Sequence, residues 1–212
     1  MNLKGKILIA AVLVMIPFTG AKASLIGPEL VINGSFERPD ISPGLTIGFP
    51  GIPGWHRTDP ITCGIRVMRT SSAYDGDQVV RLDSGCNTGM GQYLETTQMS
   101  DYLISFAYSP YPGIPADSNE IETYWDGDLI GTITAEGVGL IGPDWIEVTY
   151  DVTASRPSPL LEFRASGTSD GRGGLIDFVS VRRVPEPATM LLMGSGLIGF
   201  IGYGLRRKKQ TA

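Results

Sequence analysis

Short segments rich in β-branched and aromatic residues recur along the chain, separated by clusters of Gly, Pro, Asn and Asp. Such segments predict β-strands bounded by turns. The predicted strands are residues 30–32, 65–69, 78–82, 90–96, 101–109, 121–125, 129–135, 145–152, 160–165 and 174–182. Asp126-Gly127, between two of these strands, is a residue pair that favours a tight hairpin. Helix signals are nearly absent from this part of the chain, so the pattern predicts an all-β fold, an antiparallel β-sandwich.

The first 23 residues have the pattern of a signal peptide. Two lysines precede an uncharged apolar run at residues 7–18, and Ala21 and Ala23 supply the small side chains that signal peptidase requires. A short buried helix is the alternative interpretation, but it explains neither the order of the charges nor the Ala-x-Ala pair. Cleavage here would leave a mature chain that starts at Ser24.

The other end of the chain predicts a membrane-spanning helix. Residues 188–205 carry no charge and are followed by the basic cluster 206–209. A run of about 18 such residues is the minimum for a transmembrane helix. The basic cluster would hold its end on the cytoplasmic side. Pro185, Glu186 and Pro187 stand directly before the helix. A plain membrane anchor is one interpretation of this arrangement.

The succession of a Pro-Glu-Pro motif, an apolar helix and a basic cluster resembles the PEP-CTERM sorting signal of exported proteins of Gram-negative bacteria. The resemblance implies that residues 185–209 are recognised by the membrane protease exosortase, which would cleave near the motif and release the protein outward. It also implies an association with exopolysaccharide, because such systems usually accompany exopolysaccharide loci. The precursor would then be anchored in the inner membrane, and the product would reach the cell surface or the extracellular matrix.

The segment between the two ends, residues 24–184, is strongly acidic. It has ten arginines, no lysine and 21 acidic residues, a net charge of −11. Such a surface repels nucleic acid and can attract cations. The single histidine and two cysteines of the whole chain argue against a zinc cluster and a histidine-based catalytic site. With no repeat and no linker, the segment suits one sandwich around one core.

Four short motifs follow one another along this segment. They are N-G-S-F-E at 33–37, G-W at 54–55, D-G followed by L-D at 75–83, and I-D-F-V-S-V at 176–181. Their succession resembles the galactose-binding-like jelly rolls of carbohydrate-binding modules and related wall-associated domains, over nearly all of residues 24–184. The resemblance implies a jelly-roll sandwich with a non-catalytic role in binding carbohydrate. Phe178 replaces the second of two acids that usually close the pattern.

The resemblance also implies a structural calcium ion. In the similar domains, acids at the first and last strands often bind calcium together with backbone carbonyls, which predicts Glu37 and Asp177 as side-chain ligands. Calcium prefers six to eight oxygen ligands, and an acidic domain supplies carboxylates. Asp75 and Asp77 are either further ligands or residues of a turn. Alternatively, Glu37 is a turn acid and Asp177 is a hydrogen-bonded acid at a strand end.

Exposed aromatic rings are the usual contacts of pyranose sugars, because their faces stack on the apolar side of the sugar. We predict Trp125 and Tyr111 as the ligand-binding residues. Tyr111 lies in a proline-rich loop that can form a binding rim. Trp125 follows Tyr124 in one strand, so the two side chains point to opposite faces. Trp55 is expected in the core.

Cys63 and Cys86 are both in the exported segment, and an even count in an oxidising compartment predicts one disulfide. Closing a loop of about 24 residues would stabilise the fold by about 3 kcal/mol in the chain-entropy model. Two free buried thiols, or links to another chain, are the alternatives.

Two other functions compete with carbohydrate binding. A structural matrix protein or adhesin would use the same domain without binding sugar, and it predicts that Trp125 and Tyr111 are buried or far apart. A glycoside hydrolase would need two carboxylates facing each other across a cleft. The acids available for such a pair are Asp75, Asp77, Asp83, Asp126 and Asp128.

Overall fold

Eleven β-strands and one 3₁₀ turn make up the regular structure of residues 27–60 and 64–184, the part of the chain that the computed structural model describes. The 3₁₀ turn is Ala116–Ser118. The strands are β1 (Thr46–Ile47), β2 (His56–Arg57), β3 (Gly64–Arg69), β4 (Gln78–Ser84), β5 (Gly89–Tyr93), β6 (Asp101–Ser109), β7 (Ile121–Trp125), β8 (Asp128–Ile133), β9 (Ile146–Thr153), β10 (Leu160–Ala165) and β11 (Leu175–Arg183).

The strands form two sheets with antiparallel pairing. The first sheet has the order β1-β3-β4-β11-β6-β9, and the second has the order β2-β5-β10-β7-β8. Buried residues of both sheets form one hydrophobic core cluster between them. The predicted all-β antiparallel sandwich is confirmed. Each sheet therefore has an inner face in the core and an outer face, and the outer faces are where ligands can approach.

Nine of the ten predicted strands are present, and β6, β7 and β10 have the predicted ends. The strand predicted at residues 30–32 is absent. There, Glu29 forms an isolated bridge to Arg182. The chain does not continue as a strand because Asn33, with a φ of 58°, begins a turn that leaves the extended conformation. The two-residue strands β1 and β2 were not predicted, since so short a segment carries no alternation.

The N-G-S-F-E motif forms a turn that packs the N-terminal segment onto β11. Asn33 and Phe36 have φ values of 58° and 57°, a left-handed conformation that Asn tolerates better than most residues. The Asn33 side chain bridges the turn, accepting from Arg38 N at 3.0 Å and donating to Arg38 O at 2.9 Å. A Cβ atom at Gly34 would lie 1.9 Å from the carbonyl oxygen of Val179. The motif therefore encodes a close approach between two distant segments.

The core is built around a row of aromatic rings that crosses between the sheets. Trp55 lies 5.4 Å from Phe36 and 6.2 Å from Phe163, measured between ring centroids. Phe163 in turn meets Phe106 edge-to-face at 4.9 Å. Trp55 is buried, and its Nε1 donates to the carbonyl of Asn33 at 3.2 Å, so the core position predicted for Trp55 is confirmed. These contacts connect the first motif to both sheets.

The hairpin predicted at Asp126-Gly127 is also confirmed. The two residues connect β7 to β8 with φ values of 54° and 95°. Two consecutive positive φ values are what a two-residue turn between right-twisted strands requires. Asp and Gly both tolerate this conformation, which explains the sequence signal.

Several predictions lie outside the described residues. They are the signal peptide at 1–23, the membrane helix at 188–205 and the residue Cys63. The pairing of Cys63 with Cys86 stays a prediction for this reason. Within residues 27–60 and 64–184, no helix has the length and apolar character needed to cross a membrane.

Candidate ligand-binding site

Glu37 and Asp177, the two predicted metal ligands, hold the 70–77 loop from two sides. Asp177 Oδ2 accepts hydrogen bonds from the backbone N–H groups of Tyr74 and Asp75, both at 2.9 Å. Glu37 Oε1 accepts two further backbone N–H groups where the loop enters β4, at 2.9 and 2.7 Å. Two acids that are distant in the sequence therefore bind the same loop, each through backbone N–H groups.

Asp177 is a fully buried carboxylate. Besides its contacts to the loop, its Oδ1 accepts the backbone N–H of Phe178 at 2.7 Å. Burial raises the pKa of Asp177 to about 7, the backbone hydrogen bonds oppose this rise, and the nearby charge of Asp75 adds to it. No cationic side chain pairs with this carboxylate in the described part of the chain.

These two carboxylates fit a calcium ion in chemical type. Calcium prefers hard oxygen ligands, and a divalent cation beside Asp177 would offset the cost of burying its charge. Asp77 is directed elsewhere, because its Oδ2 pairs with Arg69 at 2.6 Å. Across residues 27–60 and 64–184, no group of three or more His, Cys, Asp or Glu side chains comes together. Backbone carbonyls and water would have to complete the coordination beyond Glu37 and Asp177.

Three aromatic side chains form an exposed cluster on the outer face of the first sheet. Tyr74 lies between Trp145 and Phe178, with centroid distances of 6.0 and 5.7 Å. Tyr74 is 37% exposed and Phe178 is 47% exposed. Trp145 Nε1 donates to the carbonyl of Ser72 at 2.9 Å, and the Tyr74 hydroxyl donates to the Glu147 carboxylate. Hydrogen bonds at the polar ends of Trp145 and Tyr74 therefore hold these rings in place, and the cluster presents an apolar surface to solvent.

Phe178 adopts a backbone conformation that is rare for an aromatic residue. Its φ is 51°, within a bulge where the β11 register against β6 shifts between Asp177 and Ser180. A bulky residue in the left-handed region costs on the order of 1 kcal/mol or more and persists when its surroundings fix it. Here the Asp177 carboxylate binds the Phe178 N–H, as well as the backbone of Tyr74. One buried acid thus positions two rings of the cluster.

Tyr111 lines a cavity of about 350 Å³ on the same outer face. Residues of β3, β4 and β11 line it together with the 70–77 loop and two further loops, which connect β6 to β7 and β8 to β9. The lining residues are Met68, Thr70, Ser72, Val79, Tyr111, Pro112, Ile141, Gly142, Pro143 and Leu175. Because Ser72 also binds Trp145, the cavity and the aromatic cluster are neighbours on one surface.

The position of Tyr111 is set by a buried amide. Asn119 Oδ1 accepts the Tyr111 N–H at 2.7 Å, and Asn119 Nδ2 donates to the carbonyl of Ile114 at 3.1 Å. Gly137 joins the β8–β9 loop to the β6–β7 loop, donating to the carbonyl of Ile114 at 3.0 Å. A Cβ atom at Gly137 would lie 2.2 Å from the Tyr111 carbonyl oxygen. These two loops at the border of the cavity are therefore tied to each other.

Trp125 faces the core, which corrects its predicted role in ligand binding. The side chain is 5% exposed, its ring lies 6.4 Å from that of Tyr102, and its Nε1 donates to the carbonyl of Thr153 at 3.1 Å. The expectation that Tyr124 and Trp125 point to opposite faces is correct. Pairing with β10 turns Trp125 inward, so its ring face is not available to a ligand, and it shares no groove with Tyr111.

Tyr74 and Phe178 were not recognised as ligand-binding candidates from the sequence. Both had a weak signal. Tyr74 directly precedes the Asp-Gly-Asp turn, and Phe178 stands where the similar domains have an acid. Neither signal says that the two rings meet, because they are contributed by segments about a hundred residues apart.

Asp126, one of the acids considered for glycoside hydrolysis, lines a cavity of about 420 Å³ on the outer face of the second sheet, together with Glu162. Asp126 is ion-paired with Arg156, and Glu162 with Arg164 at 2.7 Å. Burial acts to raise the pKa of Asp126, but hydrogen bonds from a serine hydroxyl and Arg156 outweigh it and lower this pKa. A glycosidase general acid needs a raised pKa. Asp126 therefore does not have the raised pKa of such an acid.

The chain matches the PEP-CTERM protein-sorting motif over residues 183–208. This confirms the resemblance that the Pro-Glu-Pro motif, apolar run and basic cluster indicated. PEP-CTERM signals mark proteins for export and surface sorting, and they imply processing by exosortase. The match covers the C-terminal tail and does not describe the sandwich.

The sandwich is similar to several known proteins at low identity. It is 25% identical over 163 residues to the multifunctional-autoprocessing repeats-in-toxin of Vibrio vulnificus, which covers 76% of this chain and 3% of the toxin. A cyclase from Fischerella sp. TAU superposes with a TM-score of 0.55 at 17% identity, covering 76% of this chain and 98% of the cyclase. The carbohydrate-binding module TmCBM61, solved with β-1,4-galactotriose, gives a TM-score of 0.49 at 16% identity, covering 74% and 99%. The chain thus spans only a small part of the toxin, and the cyclase likeness establishes the fold alone.

Proposed function

We propose that this protein is a non-catalytic polysaccharide-binding protein of the cell surface or extracellular matrix. The observation that carries the proposal is the outer face of the first sheet, where the Tyr111 cavity adjoins the exposed cluster of Tyr74, Trp145 and Phe178. Flat aromatic surfaces next to a cavity suit the apolar faces of sugar rings. The order of sequence motifs, which resembles that of carbohydrate-binding modules, supports the same conclusion.

The burial of Trp125, away from Tyr111, is the outcome that the purely structural alternative predicted. The construction of the Tyr111 and Tyr74 face is what supports a binding role. Two buried polar side chains, Asn119 and Asp177, act on the two halves of the surface and fix the backbone that carries the aromatic residues. Pre-positioned rings lose little conformational freedom when a ligand binds. The cavity of about 350 Å³ is at the small end of ligand pockets. This size suits one or two sugar units of a longer polymer.

The C-terminal sorting motif supports export by the exosortase route. We propose that the tail anchors the precursor in the inner membrane and that processing releases the sandwich toward exopolysaccharide outside the cell. β11 ends at Arg183, the first residue of the matched segment 183–208. β11 runs from Leu175, beside the Tyr111 cavity, toward this tail.

We also propose that calcium bound at Glu37 and Asp177 stabilises the 70–77 loop. The ion would compensate the buried charge of Asp177 and would keep Tyr74 in place, without a chemical role. Thermal unfolding of the protein in calcium and in chelator tests this directly. Calcium is expected to raise the melting temperature of the wild type and not that of the Glu37→Gln variant. An equal melting temperature in both solutions would exclude a bound calcium ion.

The binding proposal is tested by co-sedimentation of the purified protein with extracellular polysaccharide. We expect saturable binding that Tyr111→Ala and Trp145→Ala each weaken by about tenfold, in line with the loss of one stacking contact. Tyr93→Ala is the matched control, because Tyr93 is 59% exposed on the outer face of the second sheet. If Tyr93→Ala weakens binding and the other two substitutions do not, the binding site lies on the second sheet.

The absence of binding to any polysaccharide would favour the structural matrix or adhesin alternative. In that case the same aromatic face would contact protein, and Trp145→Ala would weaken cell-surface assembly without affecting sugar retention. Release of reducing ends from a polysaccharide would instead indicate a hydrolase. The ion-paired state of Asp126 and Glu162 argues against that outcome.

A further inference from the structure

Two arginines face each other directly on the outer face of the first sheet. Arg66 of β3 and Arg81 of β4 are register partners, while their neighbours Val67 and Val80 pair on the core side. Directly opposed residues on antiparallel strands have Cβ atoms about 5 Å apart, and like charges in this arrangement destabilise the pair. The sheet therefore places two positive charges next to each other, and their repulsion lowers the stability of the folded state.

Neither guanidinium forms an ion pair with a carboxylate within the described residues, although acids outnumber arginines two to one between residues 24 and 184. Four other arginines form ion pairs with carboxylates: Arg69, Arg156, Arg164 and Arg182. Arg66 and Arg81 instead contact hydroxyl groups of Thr46 and Ser84, at 3.4 and 2.6 Å. The two hydroxyl groups accept hydrogen bonds but carry no negative charge, so they do not neutralise the guanidinium groups.

The surroundings of Arg81 leave a donor group available. Its Nε is buried and makes no hydrogen bond. Asp83, two residues further along β4, interacts electrostatically with Arg81 but forms no ion pair with it. Its Oδ2 accepts the backbone N–H groups of Asp170 and Gly171 at 3.1 and 3.2 Å, and its buried Oδ1 makes no hydrogen bond. A buried donor without an acceptor is costly to maintain. An anion seated at the pair would remove both this cost and the repulsion between the arginines.

Arg81 also connects this positive pair to the aromatic binding face. Its guanidinium lies 5.1 Å from the ring centroid of Tyr111, in cation–π geometry. Arg81 also donates to Ser84, which together with Arg66 lines a second cavity, of about 450 Å³. The described lining of this cavity includes no acidic residue. An anionic group bound by the arginines would therefore sit next to a sugar ring that contacts Tyr111.

We propose that the ligand of this face is an acidic polysaccharide, and that Arg66 and Arg81 bind the carboxylate of a uronic acid unit. This inference rests on the proposed carbohydrate-binding function. The planar guanidinium group matches a carboxylate with two parallel hydrogen bonds, which suits it to this recognition. The net negative charge of the domain does not prevent it, because charges more than about 8 Å away are largely screened at physiological salt.

The test compares polygalacturonate with its carboxyl-reduced form, by titration of the purified full chain in about 0.15 M salt. We expect the uronate polymer to bind at least about tenfold more tightly, the effect of a hydrogen bond to a charged group. Arg66→Gln and Arg81→Gln should each abolish most of this difference. Arg183→Gln is the control, because it removes an exposed charge at the far end of β11.

The stability of the free variant gives a second, independent readout. Arg66→Gln removes one of two opposed like charges, so its melting temperature without ligand is expected to equal or exceed that of the wild type. A variant that binds less and unfolds earlier would indicate that Arg66 has only a structural role, and would overturn the proposal.

The remaining outcomes separate this inference from the function beneath it. Equal affinity for both polymers, still reduced by Tyr111→Ala, would overturn the acidic ligand and leave the binding function intact. Binding of dextran sulfate but not polygalacturonate, with the same dependence on Arg66 and Arg81, would overturn the carboxylate assignment in favour of a sulfate ester. The absence of binding to all three polymers would overturn both the inference and the proposed function.

Discussion

Replacing Asp177 by Asn is expected to change how the stability of the protein depends on pH. The substitution keeps the size of the side chain and removes its charge. Burial raises the pKa of Asp177 to about 7 in the folded protein, from an ordinary value of 3.8. The folded state therefore holds the proton more tightly than the unfolded state. The stabilisation from this proton is complete below about pH 3.8 and is lost as the pH rises through about 7.

The size of the effect follows from the difference between these two pKa values. Each pH unit between them changes the free energy of unfolding by about 1.4 kcal/mol. Between about pH 5 and pH 7, the wild type should thus lose about 2 to 3 kcal/mol that the Asn variant does not lose. Other titrating acids contribute equally to both proteins and cancel in the difference.

Urea unfolding of both proteins in chelator, at about one-unit pH steps from 5 to 8, measures this difference. Asp128→Asn is the control, because it removes an exposed carboxylate of the second sheet that does not act on Asp177. A constant gap between wild type and Asp177→Asn across the series would refute the raised pKa. Repeating the series with calcium adds a second result. A bound cation favours the ionised form, so the calcium-loaded wild type should lose less stability as the pH rises.

Three further predictions concern the fold. Gly34→Ala should prevent or strongly weaken folding, since its Cβ would overlap a carbonyl oxygen of β11 at 1.9 Å, whereas Gly142→Ala, with no atom within 4 Å, should leave the melting temperature unchanged. Trp125→Ala should lower the free energy of unfolding by about 3 to 5 kcal/mol through a core cavity. The protein that remains folded should keep its polysaccharide affinity, and a loss of affinity without a loss of stability would restore the original binding role. Reduction of a disulfide between Cys63 and Cys86 should lower the stability by about 3 kcal/mol, and mass spectrometry after alkylation under native oxidising conditions should find both thiols blocked from reagent.

Local patterns predicted the strands well because strand formation depends on nearby residues. Alternation and turn residues act over a few positions, and they located β6, β7 and β10 with the correct ends. The Asp-Gly hairpin was equally accessible, since its two positive φ values are a property of those two residues. The C-terminal sorting motif is likewise continuous in the sequence, and its match confirms it.

The candidate site was less accessible because its parts come from distant segments. The backbone of Tyr74 is bound by Asp177, 103 residues away. The sequence predicted that Tyr124 and Trp125 face opposite sides, but it did not specify which of them faces the core. That choice depends on the pairing of β7 with β10 and on the packing of one sheet against the other.

The sequence alone therefore determined the class of fold, the approximate positions of nine of its strands and the sorting signal of the C-terminal tail. The tertiary structure decided which aromatic rings reach solvent, which loop the acids at 37 and 177 hold, and that Arg66 stands opposite Arg81. The reason is physical. Backbone preferences and sorting signals are encoded in consecutive residues. The strand register, and the face of the sheet on which a side chain lies, are set only when distant strands pair and bury a common core.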